Sequence, residues 1–142
     1  MVHVRDDGVF DASLEKIWKY IGDDSPGIHE HRAIPASKVL EQKGNVVVQE
    51  MQFINADGKG THWETWRISM DPPRGYYVEA IAGPTKGTKF SQKYTAMGNK
   101  TRVDVEGDWV VPGVDAATVK KMALAFLSEA FDEDNAALKK YK

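Results

Sequence analysis

Apolar and polar positions alternate with a period of two through the middle of the chain and with a helical period near both ends. The clearest alternation runs over 102–110. Val103, Val105, Gly107 and Trp109 share one face, and Arg102, Asp104, Glu106 and Asp108 the other. That is a strand with one wet face, as antiparallel sheets commonly have. Over 88–96, Phe90, Gln92, Tyr94 and Ala96 oppose Lys89, Ser91, Lys93 and Thr95. Over 61–70, His62, Glu64, Trp66, Ile68 and Met70 oppose Trp63, Thr65, Arg67 and Ser69. Segments 46–54 and 76–82 are rich in strand residues, but their pattern leaves open which side faces in. Turn clusters separate the segments: Gln42-Lys43-Gly44-Asn45, Asn55-Ala56-Asp57-Gly58, Asp71-Pro72-Pro73-Arg74-Gly75, Gly83-Pro84-Thr85-Lys86-Gly87, Gly98-Asn99-Lys100 and Pro112-Gly113. Strands joined by short turns predict an antiparallel meander.

Two helices bracket the strands. Ser13 is a good N-cap, and Leu14, Ile17, Trp18 and Ile21 follow at i, i+3, i+4 and i+7, with Gly22 as a natural stop. A second helix starts at Asp115, where Val114 and Val119 can form a hydrophobic staple. Its apolar positions are Val119, Met122, Ala123, Phe126, Leu127, Ala130, Phe131, Leu138 and Tyr141. Lys120, Lys121, Glu129, Asp132, Glu133, Lys139 and Lys140 are polar. So long an amphipathic stripe must be buried, and the sheet face is the apolar surface available. Residues 23–32 read as a shorter helix or as an irregular lid. The expected fold is therefore one α+β domain over 1–142. A curved antiparallel sheet of about seven strands grips a long C-terminal helix, with short helices between the first and second strands.

Composition narrows the function classes. With 142 residues the chain can bury a full core without staples, and it has no cysteine. That excludes a disulfide framework, a thiolate metal site and a cysteine nucleophile, and it suits a reducing, cytoplasmic setting. Nineteen basic and 21 acidic side chains give a net charge of −2, without the basic stripe that nucleic-acid binding needs. Met1–Asp11 carries acids and no apolar core, unlike a signal peptide. No apolar run reaches the roughly 18–20 residues of a membrane span.

The order of elements resembles that of the START/polyketide-cyclase superfamily, also called SRPBCC or helix-grip, which includes the major birch-pollen allergen. The resemblance covers essentially the whole chain. Its local signature is a first strand running into a capped helix, Val9-Phe10-Asp11-Ala12-Ser13-Leu14-Glu15-Lys16-Ile17-Trp18. Ala12, Glu15, Ile17 and Trp18 match the superfamily's usual pattern, and Ser13 stands where proline is common. Ser37-Lys38-Val39-Leu40-Glu41-Gln42-Lys43-Gly44-Asn45 is similar to its second hairpin. The resemblance implies a cavity between sheet and long helix for lipids, sterols, polyketides or similar ligands. Some members are cyclases, dehydratases or hydroxylase partners, and many only carry ligand. Fold does not choose among these.

The inward phase nominates Trp66, Ile68, Tyr77, Phe90, Gln92, Tyr94, Val105 and Trp109 as cavity lining, with Met122, Phe126 and Ala130 from the long helix. The alternative is that these side chains simply fill a core. His62, Glu64 and Glu79 are the candidate catalytic groups. His62 and Glu64 lie two apart on one strand and share a face, so in an apolar setting they could act as base and acid. Otherwise both sit at an exposed strand start beside Gly58-Lys59-Gly60. His29 and His31 are also two apart, which diverges on a helix, unlike the i, i+4 spacing of a metal pair; on a strand or lid they would share a face, and a metal would then need a third ligand such as Glu30 or Asp24. A solvated histidine is the commoner case, so no metal is expected. No nucleophile elbow or phosphate loop is present. The leading expectation is a carrier or sensor of a hydrophobic small molecule, without cofactor or membrane insertion, as monomer or dimer. A cyclase- or dehydratase-type enzyme working in the same cavity comes second, and a protein-interaction module third.

Overall fold

The computed structural model describes residues 1–55 and 57–141; Ala56, in the expected 55–58 turn, and Lys142 lie outside them. Strand β1 (Val2–Phe10) leads into helix α1 (Leu14–Ile21). Six strands follow: β2 (Ala36–Lys43), β3 (Val46–Ile54), β4 (Thr61–Asp71), β5 (Gly75–Ala82), β6 (Lys89–Met97) and β7 (Lys100–Trp109). Helix α2 (Ala116–Lys140) completes the chain. The strands form one antiparallel sheet in the order β1-β7-β6-β5-β4-β3-β2. Each hairpin is a sequence neighbour, and β1 closes the far side by pairing with β7. This is the expected helix-grip arrangement.

Both helices begin where the caps predict. The Ser13 hydroxyl accepts a bond from the Lys16 N–H at 3.2 Å, and the Asp115 carboxylate accepts one from the Thr118 N–H at 3.1 Å. Each satisfies one of the orphan donors of a first turn. Between α1 and β2 the chain takes the irregular course, a series of turns pinned by a bridge between His31 and Ile34.

Helix α2 lies chiefly against β1, with smaller contact to β7. Val119, Ala123, Leu127 and Leu138 are its buried residues. Phe131 stacks on Phe10 with ring centroids 4.5 Å apart. Gly8 makes room for it, since a Cβ there would stand 2.8 Å from the Phe131 ring. The buried Thr101 hydroxyl donates to the Ala12 carbonyl at 2.9 Å, fixing the entry to α1 on the start of β7. The other end of the sheet is thinly covered. Strand β3 is only half-buried over most of its length, and β2 is exposed beyond Ala36. The alternation in β7 is observed as expected, with Val103 and Val105 buried. Gly107 belongs to that face because β6 passes directly over it: a Cβ would overlap the Lys89 carbonyl and the Phe90 backbone.

Because these obstacles are main chain and cannot swing aside, Gly107→Ala is expected to destabilise the fold by about 1–3 kcal/mol, the usual cost of overpacking. A urea-denaturation midpoint unchanged from the parent protein would show that β6 yields at this point.

Candidate functional site

A cavity of about 1340 Å³ opens between the concave face of the sheet, the 29–37 segment and α2. That exceeds the ~300–1,000 Å³ common for small-molecule pockets. Its middle is aromatic. Phe90 stacks on Trp109 with centroids 5.3 Å apart and planes 6° off parallel, and Trp66 meets Phe90 edge-on at 6.1 Å. Phe126 of α2 packs across from both Phe53 and Trp109, each at 6.2 Å. The indole N–H of Trp109 is the single buried polar side-chain atom without a hydrogen-bond partner among the described residues.

Two polar groups interrupt this wall. The first sits at the β3–β4 end. Glu64 is 4 % exposed. One of its carboxylate oxygens accepts from the Trp66 indole N–H at 3.0 Å and from the Thr85 hydroxyl at 2.7 Å. The other faces His62 Nε2 at 2.5 Å. His62 Nδ1 faces the Asn55 side-chain oxygen at 2.6 Å, and the Asn55 amide nitrogen donates to the Lys59 carbonyl, which fixes the orientation of that amide. Nδ1 therefore carries a hydrogen, and one proton lies between Nε2 and the Glu64 carboxyl. Every donor here is matched. Neither imidazole nitrogen is open toward a ligand, so base catalysis by His62 would first have to break one of these bonds.

The second polar group lies where α2 meets α1 and the lid. His31 stands between two carboxylates of α2, 2.9 Å from Glu133 and 3.4 Å from Asp134. Arg32 grips Glu129 through two bonds of 2.7 and 2.9 Å, and its backbone N–H donates to Glu133. The Tyr20 hydroxyl donates to Asp134 Oδ1 at 3.0 Å. Desolvation raises the Asp134 carboxyl above its ordinary range, against the opposing pull of His31. Burial likewise raises the hydroxyls of Tyr20, Tyr76 and Tyr94, and the Asp134 charge adds to all three. Desolvation also works upward on Glu133, but the Arg32 N–H and His31 hold it below its ordinary range. The lid's start is tied down by Asp23, which accepts from the Ser25 N–H at 2.9 Å and from the Tyr141 hydroxyl at 2.8 Å.

Of the residues nominated from sequence, Trp66, Ile68, Phe90, Tyr94, Trp109, Met122 and Phe126 line the cavity. His62 and Glu64 line it together, bonded to one another, and the exposed-start alternative does not hold for Glu64. Five nominations need correction. Tyr77 is 42 % exposed on the outer face, and its neighbour Tyr76 lines the cavity instead. The register decides this: Tyr76 pairs with Met70 and Gln92, both in inward phase. Glu79 shares the outer face and bonds Arg67 at 2.7 Å, remote from His62 and Glu64. Val105 and Ala130 lie off the cavity wall. Val105 belongs to the packed core, where β7 runs under α2, and Ala130 is half-buried. Gln92 keeps its inward phase but is absent from the wall, its side-chain oxygen taken by the Tyr94 hydroxyl at 3.2 Å.

Several wall residues were not nominated: Tyr20, Phe53, Asn55, Tyr76, Thr85, Glu133 and Asp134. Asp134 had a readable signal. It falls four residues after Ala130 and four before Leu138, inside the apolar stripe of α2, where a carboxylate is out of place unless it has a partner or a task.

No family model matches the sequence, and no curated protein matches it. Solved structures do. A START superfamily protein from Mycobacterium smegmatis superposes with a TM-score of 0.74 at 13% identity, covering 99% of both chains. The aromatase/cyclase ZhuI from a Streptomyces species gives 0.72 at 16% identity, over 98% of this chain and 92% of that one. Ara h 8.0201 gives 0.68 at 17% identity, over 97% of each. The chain thus has the helix-grip fold of the START/polyketide-cyclase superfamily.

Two outcomes follow from the polar groups. Glu64→Ala strands the His62, Trp66 and Thr85 donors and should cost about 3–5 kcal/mol, as breaking a buried charge pair does. Glu79→Ala, losing a surface pair, should cost no more than about 1 kcal/mol. Equal shifts in denaturation midpoint would mean that Glu64 is solvated. Asp23 titrates at about 2, below its ordinary 3.8, because of its bonds to Ser25 and Tyr141. A depressed carboxyl stabilises the fold above the unfolded value and loses that contribution as pH falls through the folded one. The difference in Tm between the parent and Asp23→Ala should therefore be present at about pH 5 and vanish toward pH 2. A difference constant across that range would contradict the assignment.

Proposed function

We propose that this protein binds and carries a flat, largely apolar small molecule in the cavity between sheet and α2. The observation that carries this reading is the cavity's size together with its aromatic middle, walled by Phe53, Trp66, Phe90, Trp109 and Phe126. An apolar void of this volume, bordered by rings able to stack on a ligand, matches the composition of small-molecule sites. Solved structures sharing the fold include one described as an aromatase/cyclase, which supports a conjugated ligand class.

A second reading, an enzyme of the cyclase or dehydratase type, draws on one observation: His62 and Glu64 are hydrogen-bonded to one another in the cavity wall. The saturated bonding of that pair ranks it behind the carrier.

Native mass spectrometry of the freshly purified protein should show a mass excess that disappears on denaturation, and fragmentation of the released species should give its class. In parallel, the neutral dye N-phenyl-1-naphthylamine should bind with enhanced fluorescence. Ile68→Trp, which places an indole in the cavity, should weaken that binding at least about tenfold, equal to 1.4 kcal/mol. Dye affinity unchanged by Ile68→Trp would place the binding elsewhere and sink the reading.

A further inference from the structure

The charges on the cavity wall are one-sided. Five carboxylates line it, against one guanidinium, three imidazoles and no lysine, among the described residues. Even with every imidazole charged, four cations would face five anions. The one guanidinium, Arg32, is held bidentately by Glu129 and is 64 % exposed. An anionic ligand would therefore meet no free cation, and would have to be desolvated beside carboxylates.

The carboxylates differ in how fully they are used. Glu64, Glu129 and Glu133 each have both oxygens engaged. Asp134 does not. Its contacts from Tyr20 and His31 both fall on Oδ1, and among the described residues no hydrogen bond reaches Oδ2. That oxygen is not sealed away, for Trp109 Nε1 is the one buried, unpartnered side-chain atom among them. The Asp134 side chain is 31 % accessible and lines the cavity. Tyr20, Tyr76 and Tyr94 line the same wall, and Tyr76 and Tyr94 lie with ring centroids 6.2 Å apart. A free carboxylate oxygen among tyrosine rings and hydroxyls is the chemistry that recognises an ammonium group, through a charge-assisted bond and the negative ring faces.

Given a cavity that binds an apolar ligand, as proposed above, we propose that its occupant is an aromatic amine. Its ring system lies against Trp66 and Phe90, and its protonated nitrogen is held by Asp134 Oδ2. The aromatic middle supplies affinity without regard to charge, and Asp134 supplies the choice of charge. Fatty acids and other carboxylates are rejected on the same ground.

The test uses three probes of one ring system at neutral pH: naphthylethylamine, ethylnaphthalene and naphthylacetate, each titrated calorimetrically into the purified chain. The amine should bind roughly ten- to a hundredfold tighter than the neutral hydrocarbon, the range a charge-assisted hydrogen bond supplies. The carboxylate should bind more weakly than either. Asp134→Asn should bring the amine down to the level of ethylnaphthalene and leave ethylnaphthalene itself unchanged. Should Asp134→Asn fail to fold, the ranking on the parent protein decides alone. Ethylnaphthalene binding as tightly as the amine, or naphthylacetate binding tighter, overturns the assignment of Asp134 and leaves the cavity reading standing. If none of the three binds, the cavity reading fails and this inference falls with it.

Discussion

Everything in this molecule follows from a mismatch of widths. Seven strands spaced by ~4.8 Å make a sheet about 29 Å across, while a helix with its side chains is only ~10–12 Å wide. One helix cannot cover such a face. Helix α2 settles where packing is best, over β1 and β7, with Phe131 set against Phe10 above Gly8. The remaining strands meet it less closely, as where Phe53 of β3 faces Phe126 across the cavity. Core and cavity are thus two ends of one concave surface, divided by where the helix lies.

An uncovered apolar face would ordinarily collapse, because voids forfeit dispersion contacts. Here the walls hold one another in place. Phe90 is backed by the Trp109 ring, Trp66 is pinned through its indole N–H to Glu64, and Glu64 is fixed in turn by His62 and Thr85. The His62–Glu64 network so placed braces the aromatic wall. From sequence the pair reads as an acid and a base; in the structure its bonds run to one another and to Asn55, Trp66 and Thr85. The lid is braced likewise, His31 and Arg32 locking it to three carboxylates of α2.

How much of this could be read in the sequence depends on whether the deciding force was local. The facing of β6 and β7 was legible, because their apolar and charged residues alternate strictly and one face must be wet. Both helix starts were legible, since a cap acts within four residues. The facing of β5 was not. Tyr76 and Tyr77 are chemically identical, and only the cross-strand register against Met70 and Gln92 turns the first inward. Glu79 was misplaced for the same reason. Val105 was placed on the right face but at the wrong depth, because sequence periodicity reports side and not what lies opposite. Whether a wall residue meets a helix or a void is settled by where α2 rests, a property of the whole sheet.

The two polar groups in the cavity then differ in kind. At one end, His62, Glu64, Trp66, Thr85 and Asn55 form a closed circuit in which each donor has its acceptor. A closed circuit can be buried at little cost, and it has nothing left to offer a ligand. At the other end, Asp134 sits within the apolar stripe of α2 with its charge disfavoured by desolvation and one oxygen left over. Leucine at that position would continue the stripe from Ala130 to Leu138 and add apolar contact to both. A carboxylate forgoes that contact and bears a desolvation cost that Tyr20 and His31 offset only in part. Of the two, the incompletely satisfied group is the one whose energy can improve when something enters. The charge choice proposed for Asp134 therefore rests on the helix end of the cavity, while the bonds at the strand end are directed at the wall itself.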